Sequence, residues 1–169
     1  MNSSFWNKAA INGLLLAFVS IVMMVIQTVF DMGKAMDITL WIVKLAGTVG
    51  LLYYFMKEFG KQCETYTYSD AFKFGLAVSF FSSIIASCYY FVHVAFLFPD
   101  VNTQMSNAIL MGLEQTGATS EMNTDKLIAN LPLIVCISQF FYMNILGLLW
   151  SSILGSSTKH KEPATPFDR

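Results

Sequence analysis

The sequence contains few charged residues. Only 12% of its 169 residues are Asp, Glu, Lys or Arg, whereas soluble domains average about 25%. Hydrophobic residues make up 55% of the chain and gather into long runs. The net charge of −1 gives no global field that would attract nucleic acid. These values argue against an ordinary soluble domain and against nucleic acid as a partner, and they predict an integral membrane protein in contact with lipid.

Metal ligands and activated nucleophiles are also scarce. The three cysteines, Cys63, Cys88 and Cys136, are odd in number and form no Cys-x-x-Cys pair, and only two histidines are present. The sequence lacks a His-Glu-x-x-His motif, a phosphate-binding glycine-rich loop and a Gly-x-Ser-x-Gly motif. We therefore expect no disulfide framework, metal site, cofactor or catalytic residue, and we interpret the cysteines as reduced thiols.

Four apolar runs are long enough to cross the roughly 30 Å hydrocarbon core of a bilayer. They predict an all-α, integral membrane four-helix bundle. The predicted spans are about 9–30, 38–57, 70–98 and 124–154. Ser69 is a candidate cap for the third span. Pro99 should end that span and keep Phe98 out of regular helix, and Pro132 is expected near the outer end of the fourth, where a kink is tolerable.

The segment between the third and fourth spans predicts a short amphipathic helix at about 100–115, capped by Asp100. It contains no lysine or arginine for lipid headgroups, so we favour a position over the outer end of the bundle to one on the membrane surface. Residues 1–155 are expected to form one domain. Residues 156–169 are polar with two prolines and predict a disordered tail.

Basic residues collect on one predicted side of the membrane. That side holds Lys8, Lys57, Lys61, Lys73, Lys159, Lys161 and Arg169. The other side holds two lysines, Lys34 and Lys126, and most of the acidic residues. The positive-inside rule then predicts that both termini and the tail are cytoplasmic.

Small residues recur at every fourth position of the third span. The series is Ala71, Gly75, Ser79, Ser83 and Ser87. Such positions share one helix face, and small residues let helices in lipid approach closely. We interpret the serines as packing residues rather than nucleophiles. Shorter series occur in the first, second and fourth spans, namely Ala9-Gly13-Ala17, Ala46-Gly50 and Gly147-Ser151-Gly155. Helices should therefore approach closely in the cytoplasmic half and separate in the outer half.

A few polar residues fall inside the spans. Lys44 lies six residues after Ile38, or ~9 Å along the helix, so it either extends to the outer interface or faces the bundle. In the second case Lys44, His93 and Asp100 would form a small polar pocket in the outer half, and Gln139 lies deepest in the fourth span. The alternative is an interfacial histidine and amides that hydrogen-bond between helices.

The start of the third span carries a family resemblance. A polar turn precedes Tyr68, Ala71 and Gly75, which match a Phe-x-x-Ala-x-x-x-Gly pattern except for Tyr at the first position, and Pro99-Asp100 follows the span. This arrangement resembles the bacterial family called domain of unknown function 4199. The resemblance implies a four-span protein of the bacterial inner membrane with no catalytic residues to carry over. It also suggests membrane-associated glycosyltransferases, found in the family's gene neighbourhoods, as possible partners.

Two functions fit these observations. The favoured one is a non-enzymatic accessory or assembly subunit of a membrane complex, because catalytic groups are missing and all four spans carry small-residue faces. The alternative is a small homo-oligomeric transporter or channel that uses the polar residues of the spans. Either function implies a membrane-protein partner or self-association.

Overall fold

The computed structural model describes residues 3–30, 34–116 and 124–159, and those residues form helices and connecting turns without a β-sheet. The helices are α1 (Ser3–Val29), α2 (Lys34–Gly60), α3 (Tyr68–Val92), α4 (Pro99–Thr116), α5 (Thr124–Ala129) and α6 (Leu131–Thr158). A π-helical turn, His93–Leu97, extends α3. Among the described residues, four segments are long and apolar enough to cross a membrane: Ser4–Val29, Ile38–Gly60, Tyr68–Leu97 and Leu131–Thr158. The predicted all-α, four-span membrane fold is confirmed.

The chain divides into two compact units. The first, Met1–Ala86 with Phe141–Arg169, contains α1, α2, most of α3 and the second part of α6. The second, Ser87–Phe140, contains the end of α3, the π-helical turn, α4, α5 and the start of α6. In the second unit α4 packs against the π-helical turn.

Aromatic rings cluster in the core of the first unit where α1 and α3 begin and α2 ends, a region that we call the terminal end. Here the rings of Phe59 and Phe74 stack with centroids 3.9 Å apart, and Phe5 meets both edge-on at 5.7 and 5.6 Å. Tyr66, in the loop between α2 and α3, is fully buried beside Phe59. These contacts join the starts of α1 and α3 to the end of α2.

Glycines bring α3 close to α1 and α6. A Cβ atom at Gly13 of α1 would lie 2.7 Å from Phe81 Cβ and 2.8 Å from the Val78 carbonyl oxygen. A Cβ atom at Gly147 of α6 would overlap the Cβ of Ser79. Since these neighbours include backbone and Cβ atoms, a side chain at either glycine would force the helices apart.

α3 begins earlier than predicted. Its cap is Thr67, whose backbone N–H and Oγ1 hydroxyl donate to Asp70 Oδ2 at 3.3 and 2.7 Å, while the Asp70 N–H donates to Thr67 Oγ1 at 3.3 Å. This is a reciprocal capping box. The prediction of Ser69 as the cap is wrong, because Ser69 already lies in the first turn of the helix.

Two prolines divide the helices differently from the prediction. Phe98 lies outside regular helix, as predicted, with φ −134° and ψ 71°. Pro99 then opens α4, where its missing N–H is tolerated, so Asp100 lies in the first turn and does not cap the helix. Pro132 cannot donate to the Ile128 carbonyl, and the predicted continuous fourth span is two helices, α5 and α6.

The end of the chain is also more helical than predicted. α6 continues to Thr158, so residues 156–158 of the predicted disordered tail are helical. Residues 160–169, the rest of that tail, lie outside the described part of the chain.

Candidate functional site

The small-residue face of α3 is buried along its whole length. Four of its members, Ala71, Gly75, Ser79 and Ser83, belong to the first unit, and Ser87 belongs to the second. The exposed fraction is 1% for Ser83 and 2% for Ser87. A Cβ atom added at Gly75 would lie 2.7 Å from the Ser151 hydroxyl oxygen of α6 and 2.9 Å from the Met56 sulfur of α2. This face therefore packs α3 against two other helices.

A hydrogen bond between α6 and α3 crosses this packed interior. The Asn144 side-chain amide of α6 donates to Ser83 Oγ at 2.7 Å, and the Ser83 hydroxyl donates to the Phe80 carbonyl at 2.8 Å. Interhelical hydrogen bonds in membranes contribute about 0.6 kcal/mol on average. Because its proton is directed to a backbone carbonyl and its lone pair to an amide, this hydroxyl is arranged for packing rather than for nucleophilic attack.

The four residues of the predicted polar pocket fall in different units. Lys44 is half-buried in α2 of the first unit, while His93, Asp100 and Gln139 belong to the second. Within the second unit His93 lies in the π-helical turn and Asp100 is exposed in the first turn of α4, the helix that packs on that turn. Gln139 is half-buried in α6. A pocket that joins all four residues stays a prediction.

His93 is buried within a group of aromatic rings. Its exposed fraction is 1%, and its ring centroid lies 4.5 Å from that of Phe98, 5.7 Å from Tyr89 and 6.3 Å from Tyr90, with Tyr90 nearly parallel. The His93 carbonyl accepts from the Phe98 N–H at 2.8 Å, which closes the π-helical turn. His93 is therefore packed inside the second unit, and its predicted position at the membrane interface stays a prediction.

A second group of polar residues lies at the terminal end of the first unit. Lys8 of α1 donates to Gln62 Oε1 and lies 5.7 Å from the ring centroid of Phe59. The nearby Cys63 thiol contacts the Phe59 carbonyl at 3.6 Å. Burial raises the pKa of Cys63, Asp70 raises it further, and Lys8 lowers it. The thiol is therefore protonated at neutral pH and is a poor nucleophile.

Tyr66, in the loop at the terminal end, packs its ring directly against Gly60. A Cβ atom at Gly60 would lie 2.6 Å from the ring of Tyr66, so the ring occupies the place of a side chain at that position. Burial is the main cause that raises the pKa of the Tyr66 hydroxyl, which stays neutral. The whole group therefore consists of neutral or paired side chains that fasten the loop to the helices.

Metal ligands do not converge anywhere in the described residues: no group of three His, Cys, Asp or Glu side chains could hold an ion there. Sequence patterns missed three features of the sites above. Thr67-x-x-Asp70 is a capping signature that identifies the start of α3. The Lys8–Gln62 pair had no local signal, since it joins residues 54 positions apart. The His93 ring group had one, because Tyr89 and Tyr90 precede His93 by four and three residues on the same helix.

Comparison with known proteins identifies a family and no activity. No curated protein and no solved structure matches the chain. A family model described as "Protein of unknown function (DUF4199)" matches residues 11–159, which include all four membrane-spanning segments except the first residues of α1. The chain therefore belongs to the DUF4199 family of proteins of unknown function.

Proposed function

We propose that this protein is a non-enzymatic accessory or assembly subunit of a membrane complex. The observation that supports this proposal is an unfilled packing surface on α2. At Gly47 and Gly50, apart from adjacent residues and the backbone of α2 itself, no atom lies within 4 Å of where a Cβ would be. In contrast, glycines in the same unit at positions 13, 60, 75, 147 and 155 each face a neighbouring side chain or helix at that distance.

The exposed surfaces of α6 and α2 differ in the size of their side chains, which indicates what each surface contacts. Large apolar side chains are exposed on α6, for example Phe141 and Ile145, and such surfaces suit lipid tails. α2 exposes large apolar residues too, for example Trp41 and Ile42, but it also exposes the small residues Ala46, Gly47 and Gly50, and small residues in membranes mark helix contacts. A helix from another protein in an assembly is the neighbour that we propose for this surface. A membrane-associated glycosyltransferase is one candidate partner from the family context.

Purification of the full chain from native membranes in a mild detergent tests the proposal. The expected result is a stable assembly larger than the monomer, measured as protein mass by native mass spectrometry. Gly50→Leu should shift the population toward monomer, and Ile145→Leu on α6 is the matched control that should leave it unchanged. A purely monomeric wild-type protein would contradict the proposal.

A small transporter or channel is the second candidate function. Its supporting observation is the π-helical turn at His93–Leu97, because π-helical insertions often occur at functional sites. Flux assays in liposomes with Lys44→Ala, His93→Ala and Gln139→Ala distinguish this function from the first. Absence of flux for every ion and small solute tried with the wild-type protein would remove it.

A further inference from the structure

We propose that Lys57 of α2 and Lys73 of α3 bind the phosphate groups of anionic phospholipids at one surface of the membrane. These two residues are here called the headgroup lysines. Both belong to the first unit, lie near its terminal end and are exposed. This lipid contact goes beyond the proposed function, because it concerns the phospholipids around the protein and does not require a protein partner.

The headgroup lysines lie close to the ends of two candidate spans. Lys57 is three residues before Gly60, the last residue of α2, and Lys73 is five residues after Tyr68, the first residue of α3. At ~1.5 Å per residue they are therefore ~5 and ~8 Å inside the ends of their helices. A lysine at such a depth can extend its side chain so that the ammonium group lies among the lipid headgroups.

The carboxylates described at this end of the first unit do not form ion pairs with the headgroup lysines. Glu58 instead pairs with Lys61, at 2.8 Å. Asp70 Oδ2 accepts hydrogen bonds from Thr67 in the cap of α3, and Glu64 is exposed in the loop. A lipid phosphate is the anion that a bilayer would supply to both ammonium groups.

The surroundings of the headgroup lysines differ from those of Lys8 at the same end. Lys8 is half-buried and donates a hydrogen bond to Gln62 Oε1, so its ammonium group is held against the protein. Lys57 is exposed, and its Nζ lies 5.7 Å from the ring centroid of Tyr53. An aromatic ring attracts an ammonium group without cancelling its charge, and tyrosine is common at the depth of the headgroups.

The charge of the headgroup decides which phospholipid the lysines should prefer. Phosphatidylcholine carries a cation beside its phosphate, and that cation opposes binding to an ammonium group. Phosphatidylglycerol has the same phosphate without a cation. The attraction of one lysine to an anionic membrane surface corresponds to about a fivefold change in affinity, so the headgroup lysines should select the anionic lipid.

Lipid titration of the purified full chain in a nonionic detergent, read by native mass spectrometry, tests this inference. Phosphatidylglycerol and phosphatidylcholine with identical acyl chains are compared. We expect the protein to bind phosphatidylglycerol at least about fivefold more tightly, and equal affinities would overturn the inference. Glycerol 3-phosphate at the same concentration should not displace the lipid; displacement would identify a free phosphate as the ligand and also overturn it.

Substitutions at the headgroup lysines identify the site. Lys57→Gln and Lys73→Gln should each lower the affinity for phosphatidylglycerol by about fivefold, whereas arginine at either position should retain it. The matched control is the double variant Glu58→Gln/Lys61→Gln, which removes an ion pair without changing the net charge and should leave the affinity unchanged. An equal loss in this control would contradict the assignment. Circular dichroism checks that each variant is folded.

Carboxylates beyond the described residues are tested by the same titration. Glu162→Gln combined with Asp168→Asn in the full chain should leave the affinity for phosphatidylglycerol unchanged. A gain of about fivefold or more would show that these carboxylates compete for the lysines, and the inference would be overturned. Selective lipid binding by a protein that is purely monomeric would contradict the proposed function alone, so the two failures are distinguishable.

Discussion

At the scale of single residues, glycines in different helices have different surroundings: some pack against a neighbouring helix and others have open space around them. Gly147 is pressed against Ser79, whereas Gly47 has open space around it. Both are helical glycines within predicted spans. What a substitution does at each position therefore depends on the neighbouring helix and not on the glycine itself.

Gly147→Ala is predicted to destabilise the protein by roughly 1–3 kcal/mol, the usual cost of overpacking. The new methyl group would overlap the Cβ of Ser79, so α3 and α6 would have to separate. Thermal unfolding in detergent measures the effect. Gly47→Ala is the control and should be neutral or slightly stabilising, because alanine favours helix. Ser79→Gly should restore much of the loss in the Gly147→Ala background; equal effects of the two alanine substitutions would contradict the prediction.

At the scale of elements, local signals at helix ends decide where each helix starts and stops. Thr67 and Asp70 form the reciprocal cap of α3, and Pro132 separates α5 from α6. The cap also positions the loop that carries the buried Tyr66 at the terminal end of the first unit. The start of α3 thus contributes to both helix formation and core packing.

Thr67→Ala is predicted to lower the free energy of unfolding by about 1 kcal/mol through loss of the cap. Unfolding by SDS titration, followed by circular dichroism, measures it. Thr67→Ser keeps the hydroxyl and should retain most of the stability. Ser69→Ala changes a residue inside the first turn and should have a small effect; a larger loss from Ser69→Ala than from Thr67→Ala would show that the cap is assigned incorrectly.

At the scale of the whole molecule, the protein is a multi-pass membrane protein with four candidate spans. Its orientation is a proposal that rests on the distribution of lysine and arginine. Lys8, Lys57, Lys61, Lys73 and Lys159 lie at or near the terminal end of the first unit, whereas Lys34 begins α2 at its other end. We propose that this basic side lies in the cytoplasm of a bacterial cell, with both termini on that side.

Reporter fusions test the orientation. Alkaline phosphatase fused after Thr116 should be active in the periplasm, and the same enzyme fused after Arg169 should be inactive. A fluorescent protein that matures only in the cytoplasm should give the opposite pattern at the two positions. A cytoplasmic signal at Thr116 would overturn the proposed orientation, although the number of spans would stand.

The amino-acid sequence by itself determined the class, the spans and the small-residue face of α3. These properties are local: an apolar run of sufficient length crosses a bilayer whatever its neighbours are, and residues four apart share a helix face in any helix. Phe98 before Pro99 was predicted for the same reason, since proline restricts the residue before it.

The tertiary structure alone decided which of these faces are filled. The spacing of Ala46 and Gly50 in α2 is the same as that of Gly75 and Ser79 in α3, yet a Cβ atom at Gly75 would meet side chains of α2 and α6, whereas one at Gly50 has open space around it. The pairing of Asn144 with Ser83 likewise joins residues 61 positions apart. A periodic pattern states that a helix has a packing face, but the presence of a neighbour depends on how the other helices are arranged in space.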